Sequence, residues 1–126
     1  MMNEVIFTFL ILLQIKHWYI DFVNQTEAEV AGKGTYLNAI GMWHSAKHGI
    51  GTVFVSSLVF GFDYWFFCLV IGFLDFVAHY HIDWAKMNIS KKYGYTIENP
   101  KFWAWLGADQ LAHQLTYIGI VWLTVA

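Results

Sequence analysis

The sequence predicts an all-α polytopic membrane protein, an antiparallel, up-down-up-down bundle of four transmembrane helices. Three observations lead there. Of 126 residues, 58% are hydrophobic and only 13% charged, where soluble domains carry about 25% charged residues. A chain this small leaves much of its surface exposed, so a water-soluble fold cannot hide that much apolar area. Four apolar segments are of spanning length, and short connections between them imply antiparallel neighbours. The composition excludes a soluble enzyme, a secreted disulfide scaffold and a disordered tail, and the mean hydropathy of +0.46 agrees.

A helix needs about 20 residues to cross a hydrocarbon core of about 30 Å. The first segment runs from about Asn3 to Gln25. Its apolar stretch Val5–Leu13 has the length of a signal-peptide core. No basic stretch precedes it, no small-x-small site follows, and the helical pattern continues through Gln14, His17 and Asp21, so a retained helix is expected. The second segment runs from about Tyr36 to Phe60, and its Gly41, Ser45, Gly49 and Gly51 favour close helix packing. The third runs from about Phe62 to Ile89, and the fourth from about Pro100 to Ala126. Pro100 suits a first helical turn and Asn99 an N-cap. The connections are Thr26–Thr35, Gly61–Asp63 and Ser90–Asn99, rich in glycine, lysine and polar residues. The single cysteine, Cys68, lies in an apolar run and reads as a small buried residue.

The seven basic residues are all lysine: Lys16, Lys33, Lys47, Lys86, Lys91, Lys92 and Lys101. In this topology all fall on one side, opposite Glu4 and Asp63. The positive-inside rule makes that side cytoplasmic and the termini non-cytoplasmic. Trp18, Trp84, Tyr93, Trp103 and Trp105 fit an aromatic belt at that boundary; Trp65 and Trp122 fit one at the other. A net charge of −2 argues against nucleic acid as a partner. The partners expected are the lipid bilayer, with an amphiphilic substrate or another membrane protein.

Polar groups inside membrane helices are costly and mark functional sites. Here they recur four apart: His17 and Asp21; His44 and His48; Asp75, His79 and Asp83; Asp109 and His113. Residues i and i+4 share one helix face. The stripes fall late, early, late and early along successive helices, so an up-down bundle brings them to one depth in the cytoplasmic half. Imidazole and carboxylate are ligands for zinc, iron or manganese, and inward-facing His and acidic residues hold one or two metals in helical bundles. His17, Asp21, His44, His48, His79, Asp83, Asp109 and His113 are therefore the candidate ligands of one or two divalent transition-metal ions. The same residues could instead be interhelical hydrogen bonds or a proton or ion pathway. Haem held by two histidines is the third alternative, poorly suited by the flanking aspartates. Gln110 and Gln114 flank the last pair, and His81 faces another way.

The order His17-x3-Asp21-x3-Gln25, Lys33, His44-x3-His48, His79-x3-Asp83-x2-Lys86, Asp109-Gln110-x2-His113 resembles the small bacterial and phage membrane proteins grouped as domain of unknown function 3307. The resemblance covers about Leu13 to Thr124, and Asp75 lies outside its pattern. It implies a multi-pass inner-membrane protein and no particular activity. A looser similarity, in residue type alone, is to membrane-bound metal-dependent hydrolases.

The resulting expectation is a metal-dependent hydrolase acting at the cytoplasmic face on a lipid or another phosphate- or ester-bearing amphiphile. Asp75 would be its general base, and Lys86, with Lys33, would bind a phosphate. A non-catalytic bundle that binds a partner protein and a proton or metal-ion pathway are the alternatives. No serine-nucleophile motif, phosphate-cradling glycine loop or redox cysteine pair is present.

Overall fold

The computed structural model describes all of residues 1–126, and it is helical throughout with no strand. Helix α1, Met2–Trp18, runs directly into a π-helical turn, Tyr19–Val23. Such π turns are rare and recur at functional sites; this one carries Asp21. A six-residue helix, α2 (Glu27–Gly32), lies within the expected Thr26–Thr35 connection. It forms because Thr26 and Glu29 make a capping box, each side chain accepting from the other's backbone N–H.

Helix α3, Ala39–Phe60, starts three residues later than Tyr36, where the Asn38 side chain accepts from the N–H groups of Ile40 and Gly41. One 3-10 turn, Phe62–Tyr64, leads into α4, Trp65–Tyr93, which outlasts the expected Ile89. Gly94 ends it in the left-handed conformation at φ 65°, as C-terminal glycines do. Helix α5 spans Pro100–Val125, with the Asn99 side chain accepting from Lys101 N–H.

α1 packs on α3 and α5, α4 packs on the same two, and α2 covers α3. Phe9, early in α1, meets Phe60 at the end of α3 with ring centroids 5.1 Å apart, while Asp21 meets His44 and His48. α3 and α4 touch backbone to backbone: a Cβ added to Gly49 would lie 2.7 Å from the Gly72 carbonyl oxygen.

The interior is divided along its length. One end is apolar, built from Phe9, Leu13, Val55, Ile71, Tyr117, Ile120 and Val121. The remainder is polar: sixteen of the 30 buried residues are polar or charged and ten are hydrophobic, the reverse of a soluble core. The outer faces are apolar instead. Trp43, Ile50, Phe54 and Leu58 on α3 are exposed, as are Leu111, Leu115, Ile118 and Trp122 on α5.

By length and apolar content two helices can cross a membrane, Met2–Val23 with mean hydropathy 1.4 and Phe62–Tyr93 with 1.6. The sequence reading expects four spans. α3 and α5 have the length, at 22 and 26 residues. Their average hydropathy is lowered by the groups they bury, His44, Ser45, His48, Thr52 and Ser56 on α3 and Asp109 and His113 on α5.

Candidate metal centre

Each long helix contributes one stripe to the polar interior, and the i,i+4 geometry is realised within the stripes. His17 Nε2 lies 3.3 Å from Asp21 Oδ2, His79 Nε2 3.1 Å from Asp83 Oδ2, and His113 Nε2 3.5 Å from Asp109 Oδ1. The π turn after Trp18 carries Asp21 inward beneath His17, where both are buried.

The stripes converge on two carboxylates. Asp21 Oδ1 accepts from His44 Nε2 at 3.0 Å and from His48 Nε2 at 2.8 Å, with His79 Nε2 at 3.6 Å. Asp83 Oδ1 accepts from His113 Nε2 at 3.1 Å, and the Lys33 ammonium lies 2.9 Å from Oδ2. The imidazoles of His48 and His79 stack at 3.5 Å between centroids, and those of His79 and His113 at 4.1 Å. Three groups have ligand atoms within 4.8 Å of one another: His17, Asp21, His48 and His79; His44, His79 and Asp83; Asp83, Asp109 and His113. All eight residues expected as ligands therefore share one enclosed region.

Two features suit that region to a cation. Neither ring nitrogen of His79, which is fully buried, makes a hydrogen bond, and Asp109 Oδ1 is also without one. Buried polar atoms without partners are rare and costly. Three carboxylates (Asp21, Asp83 and Asp109) face a single ammonium, Lys33. With neutral imidazoles this leaves two uncompensated negative charges in a water-poor interior, the charge one divalent ion supplies. Nδ1 of His44 and of His48 also lacks a protein partner, so these rings are held by packing and by the Nε2 hydrogen bonds to Asp21.

His17 differs from the other histidines. Its Nδ1 is 3.0 Å from the Tyr117 hydroxyl and its Nε2 is 3.1 Å from Gln110 Oε1. Lys16 donates to the same hydroxyl at 3.1 Å, and Gln110 Nε2 donates to Asp109 Oδ2 at 3.1 Å. The donors run in one direction: Lys16 to Tyr117, Tyr117 to His17, His17 to Gln110, Gln110 to Asp109. Lys16 can only donate, and with its ammonium at the oxygen the tyrosine proton is directed to His17 Nδ1.

Asp75 and Lys86, expected as catalytic residues, lie apart from the three groups. Asp75 is buried one turn before His79. Its Oδ2 pairs with Lys16 Nζ at 2.7 Å and also accepts from the Thr52 hydroxyl. Lys86 is half-buried, in no ion pair, beside the groove between α4 and α5. Lys33 is the lysine that reaches the carboxylates. His81 faces outward, as expected, with its Nδ1 donating to Val77 O.

Lys16, Thr52 and Tyr117 escaped the sequence reading, yet their signal is the same four-residue period. Thr52 extends the His44–His48 stripe by one turn, and Tyr117 extends Asp109–His113. Lys16 adjoins His17 and reads as a boundary lysine; in the structure it is a buried ion-pair member. Lys47 likewise pairs with Glu29, at 2.6 Å.

No curated protein and no solved structure matches the chain. Residues 9–126, nearly the whole length, match the family described as protein of unknown function, and the chain therefore belongs to that family, DUF3307.

Proposed function

We propose that this chain is a four-span membrane protein, its long helices running up, down, up and down, that holds a divalent transition metal near its cytoplasmic end. The inverted distribution of side chains supports the spanning reading. Every long helix turns Phe, Leu, Ile, Val or Trp outward and its polar stripe inward, which water disfavours and a bilayer requires. α3 and α5 then span despite their modest hydropathy, because most of the groups that lower it, His44, Ser45, His48, Thr52 and Ser56 on α3 and Asp109 and His113 on α5, face inward. Lys16, Lys33 and Lys47 are held in ion pairs, so the orientation rests on Lys86, Lys91, Lys92 and Lys101. All four lie at one end of the molecule, and the termini are non-cytoplasmic.

The observation that carries the metal reading is the convergence of five imidazole Nε2 atoms on Asp21 and Asp83, with His79 at the centre making no hydrogen bond. His44, His48, His79 and His113 with Asp21, Asp83 and Asp109 are the inner ligand set. Zinc, iron or manganese would accept it, and Asp83 belongs to two of the three groups. Gln110 and Tyr117 hold His17 beside the set.

We assign the centre to hydrolysis of a phosphate- or ester-bearing amphiphile. A bound divalent metal supplies Lewis acidity toward a phosphoryl or acyl oxygen and toward water. Lys33 supplies positive charge beside Asp83. Asp75 is committed to Lys16, so a carboxylate of the centre, Asp109 with its unpartnered Oδ1, is the better candidate for accepting a proton.

Elemental analysis of protein purified in mild detergent without chelator tests this. About one equivalent of a single transition metal, lost in a His79→Ala, Asp83→Asn variant, is expected. Less than about a tenth of an equivalent would leave the non-catalytic polar bundle as the reading, which the closed Lys16–Asp75–Thr52 layer also suits.

A further inference from the structure

We propose that the side of α4 facing α5 and α2 is a binding site for an anionic amphiphile, with its apolar chain between α4 and α5 and its phosphate held by Lys86 and Lys91. The inference rests on the membrane-embedded reading above and names the amphiphile's charge and its route to the centre.

Two adjoining cavities carry it. The first is a groove of about 190 Å³ between α4 and α5, walled by Ile82, Ala85, Ile89, Ala108 and Ala112. Three alanines in facing positions leave this notch open. Asp109, the edge ligand of the proposed centre, also lines it. The second, of about 540 Å³, lies between α2, the end of α4 and the start of α5. Its polar lining includes Thr35, Ser90, Lys91 and Thr96. That volume is in the range that holds small molecules. Lys86 borders both cavities, so a molecule filling them passes its ammonium where apolar wall gives way to polar lining.

The charge pattern sets the sign of the headgroup. Lys16, Lys33 and Lys47 each face a carboxylate within 3 Å. Lys86 and Lys91 face none, and no acidic residue lines the larger cavity. Two free ammonium groups with no carboxylate beside them in that lining make a site for a phosphate. The adjoining apolar groove selects a phosphate that carries a hydrocarbon chain over free phosphate.

The test uses the full chain in detergent with chelator present, so that lipid binding is read independently of metal. The probes are dioleoyl phosphatidic acid, dioleoyl phosphatidylcholine and inorganic phosphate, with bound lipid counted by native mass spectrometry. Phosphatidic acid is expected to bind more tightly than phosphatidylcholine. Lys86→Gln should cost about tenfold in its affinity, as loss of a charged hydrogen bond does. Ala108→Leu, which fills the groove, should weaken it comparably, Lys86→Arg should retain it, and Lys101→Gln, outside both cavities, should leave it unchanged. Equal binding of the two lipids, or equal effects of Lys86→Gln and Lys101→Gln, would overturn the proposal. So would displacement of the lipid by equimolar inorganic phosphate. Metal content, measured on the same purified protein before any chelator is added, judges the metal centre separately: charge-selective lipid binding without metal keeps this site and removes the hydrolase, and metal without such binding does the reverse.

Discussion

Lys16 Nζ lies 2.7 Å from Asp75 Oδ2, with both side chains shut off from the surroundings. The pair sits between the apolar end of the interior and the histidine cluster. Lys16 also donates to the Tyr117 hydroxyl and the His48 carbonyl, and Asp75 Oδ2 also accepts from the Thr52 hydroxyl. The pair neutralises itself, so it adds no charge to the cluster, and it removes Asp75 from proton transfer.

Breaking the pair on one side is expected to be severe. Lys16→Met strands the Asp75 carboxylate and should cost about 3–5 kcal/mol, as removal of one partner of a buried ion pair does. The double variant, Lys16→Met with Asp75→Leu, should recover much of that loss. Thermal unfolding in detergent checks both, and a double variant no better than the single one would show that the pair does more than balance its own charge.

The contact between Gly49 and Gly72 fixes the spacing of α3 and α4 and therefore of His48 and His79, one residue and two turns away. A methyl on Gly49 would meet the Gly72 carbonyl oxygen at 2.7 Å, and a helix backbone yields little. Gly49→Ala is expected to destabilise by about 1–3 kcal/mol through overpacking and to weaken metal retention by parting the stacked rings. Gly119→Ala, on a face with nothing within 4 Å of the added methyl, should be neutral or stabilising. Equal effects at the two positions would remove the close approach as a determinant of the site.

The elements that were legible in the sequence are those whose signals are local. Asn99 and Pro100 mark the start of α5 because cap and first-turn preferences act within three residues. The four-residue stripes identify the polar cluster because helical phase alone puts their members on one face. What escaped depends on partners distant in sequence. Nothing beside Lys16 announces Asp75, 59 residues later, so it reads as a lysine near the membrane boundary. Tyr117 looks like one more aromatic until the structure places Lys16 and His17 at its hydroxyl. The short α2 had a readable signal in Thr26-x-x-Glu29, but its polar residues suggest a loop. α4 continues past Ile89 because Gly94, not the charged residues before it, ends the helix.

Glu29 ties α2 to α3. Burial pushes its carboxyl pKa up, but the Lys47 ammonium at 2.6 Å and the Thr26 N–H hold it below its ordinary value on balance. A depressed folded-state pKa means that the contribution is fully present above the unfolded-state value and is lost as pH falls through the folded-state one. The parent chain should therefore exceed Glu29→Gln in stability at pH 7, with the gap closing below the ordinary carboxylate range. A gap unchanged by acid would mean that the hydrogen bonds at Thr26, and not the charge, hold α2 in place.

The histidines are expected to divide into two classes on substitution. Both nitrogens of His17 are already engaged, by Tyr117 and by Gln110, so it steadies the set from outside. His79 has no hydrogen bond on either nitrogen and sits between two stacked rings. His17→Gln and Tyr117→Phe should then lower metal affinity about 10- to 100-fold, as loss of an orienting partner does, while His79→Ala abolishes stoichiometric retention. Chelator should lower the unfolding temperature of the parent, because an ion bound only by the folded chain stabilises it. It should do little to His79→Ala, and adding His48→Ala to that variant should cost less than His48→Ala alone, because residues that act as one unit do not add. Additive losses with no effect of chelator would instead make each imidazole an independent interhelical hydrogen bond, each worth about 1 kcal/mol. Loss of metal in His17→Gln as complete as in His79→Ala would place His17 in the ligand set, and the hydrogen bond from Gln110 would then have to yield to the ion.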